Sequence, residues 1–401
     1  MINVREYLRS RQKRKSGEVR INYKEKIRSH KLSVFYRVIL GIALMAAVVV
    51  MLYVSWQNRS YTESVITNSV PVTKVEGSTY LALGDCVLTY SNDGANCMDS
   101  KGGVLWNQTY EMQNPMVDIN GSVAAIGDYN GRTIYVVSTE GIKGTITTNM
   151  PIRKFRVSQN GVVVAILDDS KKTWIHLLDS EGNILAYFKT TMDKWGYPLD
   201  VSISPNGELV GVSYFYVDSG KMKSSVAFYN FGAVGQNQSS DRFVSGYDYQ
   251  NAVVPYIRFM NSNTIFAVSD DRIMFFGGEQ KPLSVAENLL NENVQSIYYN
   301  ENYVGLVFLN TSGEGKYRLD IYDTSGKLVS NKIFDMEYKD IMFYKDEIII
   351  YSETEFSISN IRGAEMFGGR MEETAYLFMQ SGSRNRFLLM TQDALNILEI
   401  K

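Results

Sequence analysis

Histidine and cysteine are nearly absent from this chain: two of each occur in 401 residues. That scarcity excludes His-rich metal clusters, paired zinc-ribbon motifs and most histidine-dependent catalysis. Proline is also sparse, at 7 residues, against 31 Gly and 27 Tyr. This balance suits strands joined by tight turns, because Tyr fits a half-buried pleated surface and Gly supplies positive φ. With 45% hydrophobic and 21% charged residues, the chain is neither low in complexity nor disordered as a whole. Its length suggests roughly two or three domains.

The overall charge of −2 conceals an asymmetry. Residues 1–37 hold 12 of the 41 Lys and Arg but 3 of the 43 Asp and Glu, which leaves 29 against 40, a net −11, in the remainder. Directly after this basic stretch, Val38 to Val54 run without a charge, and Ser55 and Trp56 extend the run. At about 1.5 Å per helical residue it nearly crosses the roughly 30 Å hydrocarbon layer. Tyr36 and Arg37 at one end, and Tyr53 and Trp56 at the other, are the side chains expected at membrane interfaces. Arg59 is the only cation in the ten residues that follow, so the positive-inside rule puts the N-terminus in the cytoplasm. A cleavable signal peptide fits less well. A basic region of 37 residues is long for one, and Ala43, Ala46 and Ala47 lie inside the apolar run and not after it.

The expected organisation is therefore a basic cytoplasmic tail (1–37), a transmembrane signal-anchor helix (38–56), a juxtamembrane linker (57–64) and an extracytoplasmic domain (65–401). Arg11, Lys13, Arg14 and Lys15, with Tyr7 and Tyr23 nearby, carry no nucleic-acid reader motif. They read as a segment that sets topology and touches anionic lipid, with no nucleic-acid partner.

The outer part repeats. Acidic or polar residues followed by a Gly turn recur at Asp99-Ser100-Lys101-Gly102, Ser138-Thr139-Glu140-Gly141, Asp179-Ser180-Glu181-Gly182 and Asp323-Thr324-Ser325-Gly326, with weaker copies at Asn230, Phe276 and Asn360. Counting the strand that ends at Ile400, the mean separation is about 43 residues. A second set of eight turns precedes these one by one: Gly84-Asp85, Asn120-Gly121, Asn160-Gly161, Asn206-Gly207, Asn261-Ser262, Asn300-Glu301, Lys345-Asp346 and Ser381-Gly382. Pro115, Pro151, Pro198 and Pro255 stand just before the run leading into such a turn, where a strand begins without losing a ladder bond.

Each unit reads as four antiparallel strands; in the third they are Ile152 to Val157, Val162 to Leu167, Thr173 to Leu178 and Ile184 to Phe188. This is the pattern of a β-propeller blade, and the expected fold is an all-β propeller preceded by one transmembrane helix. Eight blades are expected, with a seven-bladed ring as the alternative. The eighth unit stops after its third strand, so the segment near Val65 to Val75 is expected to supply the fourth and close the ring.

Three stretches carry a resemblance: Val87-Leu88-Thr89-Tyr90 with Asp93-Gly94, Gly196-Tyr197-Pro198 with Ser204-Pro205-Asn206-Gly207, and Ala227-Phe228-Tyr229-Asn230-Phe231-Gly232. Over about residues 60–401 the chain resembles a family of single-pass, propeller-like proteins of Firmicutes to which no function is assigned. Ser204-Pro205-Asn206-Gly207 also resembles the turn of WD40-like repeats, and the Gly turns resemble those of quinoprotein-like assembly factors. The resemblance implies blade geometry and supplies no catalytic residue.

Known propeller chemistries find little support. His176 is the one histidine of the outer part and sits within an apolar strand; no Gly-x-Ser-x-Gly or His-Glu-x-x-His motif accompanies it. Quinone cofactors on this fold stack on Trp beside calcium, yet only Trp106, Trp174 and Trp195 lie outside the apolar run and no EF-hand-like loop occurs. Ser91-Asn92-Asp93-Gly94 continues without the Trp of a sialidase-type turn. Gly313-Glu314-Gly315-Lys316 lacks phosphate-loop spacing and reads as a loop. Asp168-Asp169 and Asp270-Asp271 read as solvated turn acids, since adjacent strand residues face opposite ways. No catalytic residue, cofactor or metal is expected.

Cys86 and Cys97 flank a turn at Asn92-Asp93, where residue numbers sum to 185. That register opposes Cys86 to Asp99 and Leu88 to Cys97, which argues for two free thiols over a disulfide.

The remaining signal is loop length. Val217 to Lys223, Met192 to Tyr197 and Ser245 to Gln250 exceed what the repeat needs and are counted on one face. Long loops on a rigid scaffold are where binding concentrates, and large rings anchor partners. Trp195, Tyr197, Tyr214, Tyr216, Tyr247 and Tyr249 are accordingly the candidate binding residues. The expected function is a non-enzymatic, membrane-anchored binding or scaffold propeller of the cell envelope, with an envelope protein or glycan as partner. A carbohydrate-active enzyme using carboxylates and Tyr on the propeller face is the alternative.

Overall fold

The computed structural model describes residues 4–15, 23–57, 61–169, 172–190, 196–238 and 241–401. They fall into two units, Met1–Arg59 and Ser60–Lys401. The first holds the helices Val4–Lys15 and Tyr23–Gln57. Within the second helix, His30–Ser55 is long and apolar enough to cross a membrane, with a mean hydropathy of 2.7. Its large apolar side chains, from Leu32 to Val54, are exposed.

The second unit consists of eight four-stranded antiparallel sheets. In blades 1 to 7 the strands follow chain order, and the first strands of blades 2 to 5, of blades 6 and 7, and of blades 8 and 1 touch in succession, which places the first strands around a central axis. The first strands are Thr79–Leu83, Pro115–Asn120, Ile152–Val157, Tyr197–Ile203, Tyr256–Phe259, Val294–Tyr299, Asp340–Tyr344 and Leu377–Gln380. Blade 8 takes its outer strand from the other end of the unit: Ser64–Pro71 pairs antiparallel with Ala394–Ile400, Ser64 opposite Ile400 and Pro71 opposite Ala394. The ring thus has eight blades, and its closing strand lies where the polarity pattern put it. Closure removes the open edge that a ring of incomplete blades would expose.

The recurrent turn marks have a local chemical cause. Asp99 Oδ1 accepts from the backbone N–H groups of Lys101 and Gly103, both at 2.8 Å. Asp179 does the same for Glu181 and Asn183, Asp323 for Ser325 and Lys327, and Asn360 for Arg362 and Ala364. The side chain substitutes for a ladder partner while the chain reverses from third to fourth strand. Gly102, Gly182 and Gly326 follow with φ of 80°, 91° and 77°, a region that L side chains rarely adopt.

The first turns use Asn differently, to join blades. Asn160 Nδ2 donates to Asn206 O (2.9 Å), Asn261 Nδ2 to Glu301 O (2.8 Å), Asn120 Nδ2 to Val157 O (3.2 Å) and Asn300 Nδ2 to Phe343 O (3.4 Å). These bonds lie at one end of the axis and clip blade 2 to 3, 3 to 4, 5 to 6 and 6 to 7. Apolar cores fill the spaces between sheets, as in the cluster of Val226, Phe228, Val254, Ile257, Ile265 and Phe276 between blades 4 and 5.

The second hairpin of blade 1 has the expected register, Leu88 opposite Cys97 and Val87 opposite Met98, and Cys86 and Cys97 are free thiols. The expected loop at Ser245 to Gln250 is corrected. Ser245 to Gln250 belong to the outer strand of blade 4, Phe243–Gln250, paired along Lys223 to Tyr229. Its Gly246 and polar residues imitate a loop, but an outer strand is half solvated and tolerates them.

Candidate functional site

The first strands surround the axis, so their composition sets the lining of the centre. On blades 2 to 5 that lining is charged. Asp118, Lys154, Arg156, Asp200 and Arg258 converge from four blades separated by up to 140 residues in sequence. Asp200 is the hub, and its side chain is 0% exposed. Its Oδ2 meets Arg258 Nη1 at 2.6 Å and accepts from Ile257 N at 3.0 Å, while its Oδ1 meets Lys154 Nζ at 2.9 Å and Arg156 Nη2 at 3.5 Å. Burial alone would raise its pKa, but Arg258, Arg156 and Lys154 outweigh that and hold it below the ordinary carboxylate value.

Asp118 repeats the motif one junction earlier. Its Oδ2 accepts from Val157 N at 2.8 Å and its Oδ1 stands 3.5 Å from Arg156 Nη1. Here burial wins over the guanidinium groups, and the carboxyl titrates above its ordinary value. Lys154 is lowered by burial despite Asp200 beside it. The guanidinium of Arg258 lies 4.2 Å from the ring centre of Tyr256.

On the other side of the axis the lining is aromatic and apolar: Tyr298, Tyr299, Met342, Phe343 and Tyr344 from blades 6 and 7. Two cavities lie along it. One of about 540 Å³ is bounded by Asp118, Arg156, Ser202, Arg258, Tyr299 and Phe343 and by the first turns at Gly121, Pro205, Glu301 and Lys345. The other, about 450 Å³, shares Tyr299, Phe343 and Tyr344 with it and reaches Ala82, Asp85 and Gln380. The first cavity therefore sits at the end of the axis marked by the Asn clips. Among the described residues, no group of three or more His, Cys, Asp or Glu is placed to hold a metal ion.

The residues singled out in the sequence lie elsewhere, around blade 4. Trp195, with the rest of 191–195, is outside the described residues. Tyr197 opens the first strand of blade 4 opposite Phe215, and Tyr216 pairs with Lys223; both are half-buried. Burial raises the Tyr197 hydroxyl pKa. Tyr214 is 0% exposed and meets the Tyr229 hydroxyl at 3.0 Å in the core toward blade 3. Tyr249 is buried on the opposite side of the blade, in the core toward blade 5. Tyr247 packs against that same core, its ring 5.1 Å from Phe276, and its hydroxyl donates to Pro282 O at 3.1 Å and accepts from Ser284 N at 3.0 Å. The structure thus brings Tyr197 and Tyr216 to one end of blade 4 and places Tyr214, Tyr247 and Tyr249 in packing between blades.

Val217 to Lys223 is a long hairpin and not an open loop. Its strands, Leu209–Asp218 and Lys221–Asn230, are joined by Ser219-Gly220 alone. Val217 and Met222 near its tip are 62% and 51% exposed.

The model of the family of unknown function DUF5711 matches residues 57–400. The chain belongs to that family. No curated protein matches it. Among solved structures, this DUF5711 chain is similar to BamB from Moraxella catarrhalis at 11% identity and a TM-score of 0.48, over 84% of this chain and 100% of that one. It is also similar to a eukaryotic initiation factor (12%, TM-score 0.45, 77% and 91%) and to the Pan2 WD40 domain of Neurospora crassa (9%, TM-score 0.43, 71% and 88%).

The axial charges of the DUF5711 chain were not singled out in the sequence. Their one local signal is Lys154-Phe155-Arg156, two cations two positions apart on a strand and hence on one face of it. Asp118, Asp200 and Arg258 have no comparable flag, because each is a lone charge in an otherwise ordinary strand.

Proposed function

We propose that this protein is a membrane-anchored binding or scaffold propeller of the cell envelope, acting without catalysis of its own. In this reading residues 1–37 are cytoplasmic, 38–56 span the membrane, 57–64 link, and 65–401 form the outer propeller. The observation that carries it is a contrast between two surfaces. The helix His30–Ser55 exposes its apolar side chains all along its length, whereas the propeller packs its large apolar residues into cores between blades. A helix of that kind needs an apolar solvent, and the twelve cations before Val38 orient it. Those cations each contribute about 1 kcal/mol of attraction to anionic lipid near the surface.

The partner surface is read as the end of blade 4 where Tyr197, Tyr216 and the hairpin tip at Val217 and Met222 stand. A rigid hairpin presenting apolar side chains suits a protein or glycan of the envelope.

The carbohydrate-active alternative draws on Asp118, whose raised carboxyl has the profile of a general acid. Against it, Asp118 and Asp200 both already engage backbone N–H groups and guanidinium groups.

Topology is tested with single cysteines in a C86S/C97S background. An impermeant maleimide on intact cells should label Lys221→Cys and spare Ser10→Cys; the opposite pattern rejects the anchoring. Crosslinking from the Lys221 position in the native envelope should capture one reproducible partner, and retention of full partner capture after removal of the hairpin tip would reject the surface.

A further inference from the structure

The axial cavity at the Asn-clipped end has no role in the reading above, and its chemistry is specific. Arg156, Arg258 and Asp118 line it, and Lys154 and Asp200, outside the lining, complete the four bridges described, so that three cations share two carboxylates. At the rim Lys345 and Glu301 cancel. One positive charge inside the ring is left without a counter-charge.

The unmatched charge has an address. Arg258 is held at 2.6 Å by Asp200 and Lys154 at 2.9 Å, but Arg156 is 3.5 Å from each carboxylate. Its Nη1 donates to Phe155 O at 3.0 Å, and its Nε is buried without a hydrogen-bond partner. A guanidinium has five donors in a planar fork, and leaving them unmet in a desolvated place is costly. An oxyanion with two acceptor oxygens completes such a fork. The cavity beside it, about 540 Å³, is within the range of small-molecule sites. Across the cavity from Arg156 and Arg258 stand Tyr299 and Phe343, continuous with the apolar second cavity.

We propose that this cavity is a binding site for an oxyanion, a carboxylate or phosphate group, carried on a body with ring or apolar character. Arg156 and Arg258 receive the charged group, and Tyr299 and Phe343 face the body. The site is independent of the partner surface on blade 4, and it stands or falls without it.

The test is calorimetric titration of the full-length protein in neutral detergent at low salt. The probes are phenyl phosphate, benzoate, inorganic phosphate and benzyl alcohol. Phenyl phosphate and benzoate should each bind at least about tenfold more tightly than benzyl alcohol, and phenyl phosphate at least about tenfold more tightly than inorganic phosphate. Their relative strength tells which oxyanion the fork prefers. Arg156→Gln should weaken both by about tenfold or more. Asp118→Asn is nearly isosteric, keeps an oxygen for Val157 N, and removes a negative charge, so it should strengthen both several-fold. Two variants with effects of opposite sign separate the site from a folding defect. Absence of heat with every probe at about 10 mM, equal binding of benzyl alcohol, equal binding of inorganic and phenyl phosphate, or indifference to Asp118→Asn each overturns the proposal.

Discussion

Asp200 and Arg258, 58 positions apart in the chain and on adjacent blades, meet at 2.6 Å with the carboxylate wholly buried. The same carboxylate oxygen accepts from Ile257 N, so one side chain fixes both the charge and the backbone of the next first strand. Removing one member of such a pair leaves the other buried and uncompensated, which typically costs about 3–5 kcal/mol. Arg258→Ala should therefore lower stability by that order. Asp200→Asn, which retains an oxygen for Ile257 N, should cost less than Asp200→Ala. Denaturant unfolding of the three variants checks the ranking, and equal losses for Asn and Ala would show that the backbone bond contributes nothing.

The pH dependence of stability has two opposed sources. Asp200 is held below its ordinary pKa, so its contribution is present above about pH 4 and is lost as pH falls further. Asp340, at the start of the first strand of blade 7, behaves oppositely. Burial raises its pKa to about 6, with Ile341 N at 2.8 Å and Lys339 offsetting only part. A folded pKa above the unfolded one means a contribution that is full below about pH 4 and fades as pH rises through about 6. Asp340→Asn should then be more stable than the parent at pH 7.5, by up to about 3 kcal/mol, and indistinguishable from it near pH 4. Parallel stability curves from pH 4 to 7.5 would contradict the assignment.

Cys86 and Cys97 share the second hairpin of blade 1, out of register for a disulfide. Burial pushes the Cys97 thiol up to about 12 and raises Cys86 as well. Since the thiolate is the reactive form, native protein at pH 8 should react slowly at Cys86 and scarcely at Cys97. After unfolding without reductant, both should label fully. A linked peptide containing both cysteines would be the contrary result.

Much of the ring is legible in the sequence because its turns are built by side chains. Asp99, Asp179 and Asp323 accept backbone N–H groups two and four residues on, and Asn160 and Asn261 reach the next blade, so each mark recurs wherever that chemistry does. The closing strand is legible for a related reason, since a unit one strand short must borrow one. The charged centre is not legible, because Asp118, Arg156, Asp200 and Arg258 become neighbours only when the ring closes, and no local pattern encodes that meeting. Ser245 to Gln250 misleads for a third reason. An outer strand has one solvated side and a free edge, and its composition approaches that of a loop.

The closing strand makes a prediction about cooperativity. Val70, on Ser64–Pro71, lies against the turn of blade 1, where a Cβ on Gly102 would meet Val70 Cγ1 at 2.6 Å. The strand therefore joins blade 8 to blade 1 as well as completing its own sheet. Deleting residues 64–71 should strip amide protection from Ala394–Ile400 first, leave Glu347–Tyr351 in blade 7 protected, and promote association through the exposed edge. Hydrogen exchange and sedimentation measure both effects. Unchanged protection across blade 8 would mean that the ring holds without its seam.

Tyr247 and Met222 separate packing from recognition on blade 4. Tyr247 is wedged near Phe228 and Phe276, and its hydroxyl bridges to Pro282 O and Ser284 N of blade 5. Truncation there removes ring contacts and two hydrogen bonds across a blade junction, so Tyr247→Ala should cost about 2–4 kcal/mol. Met222 and Val217 project from the hairpin tip and bury little, so a Val217→Ser/Met222→Ser double variant should change stability by less than about 1 kcal/mol. If the hairpin is the partner surface, that double variant should reduce crosslinked capture by about tenfold or more at an unchanged melting temperature. Tyr247→Ala, assayed well below its melting temperature, should capture nearly as the parent does. Intact capture by the double variant, or a large drop in its melting temperature, would move recognition away from the hairpin.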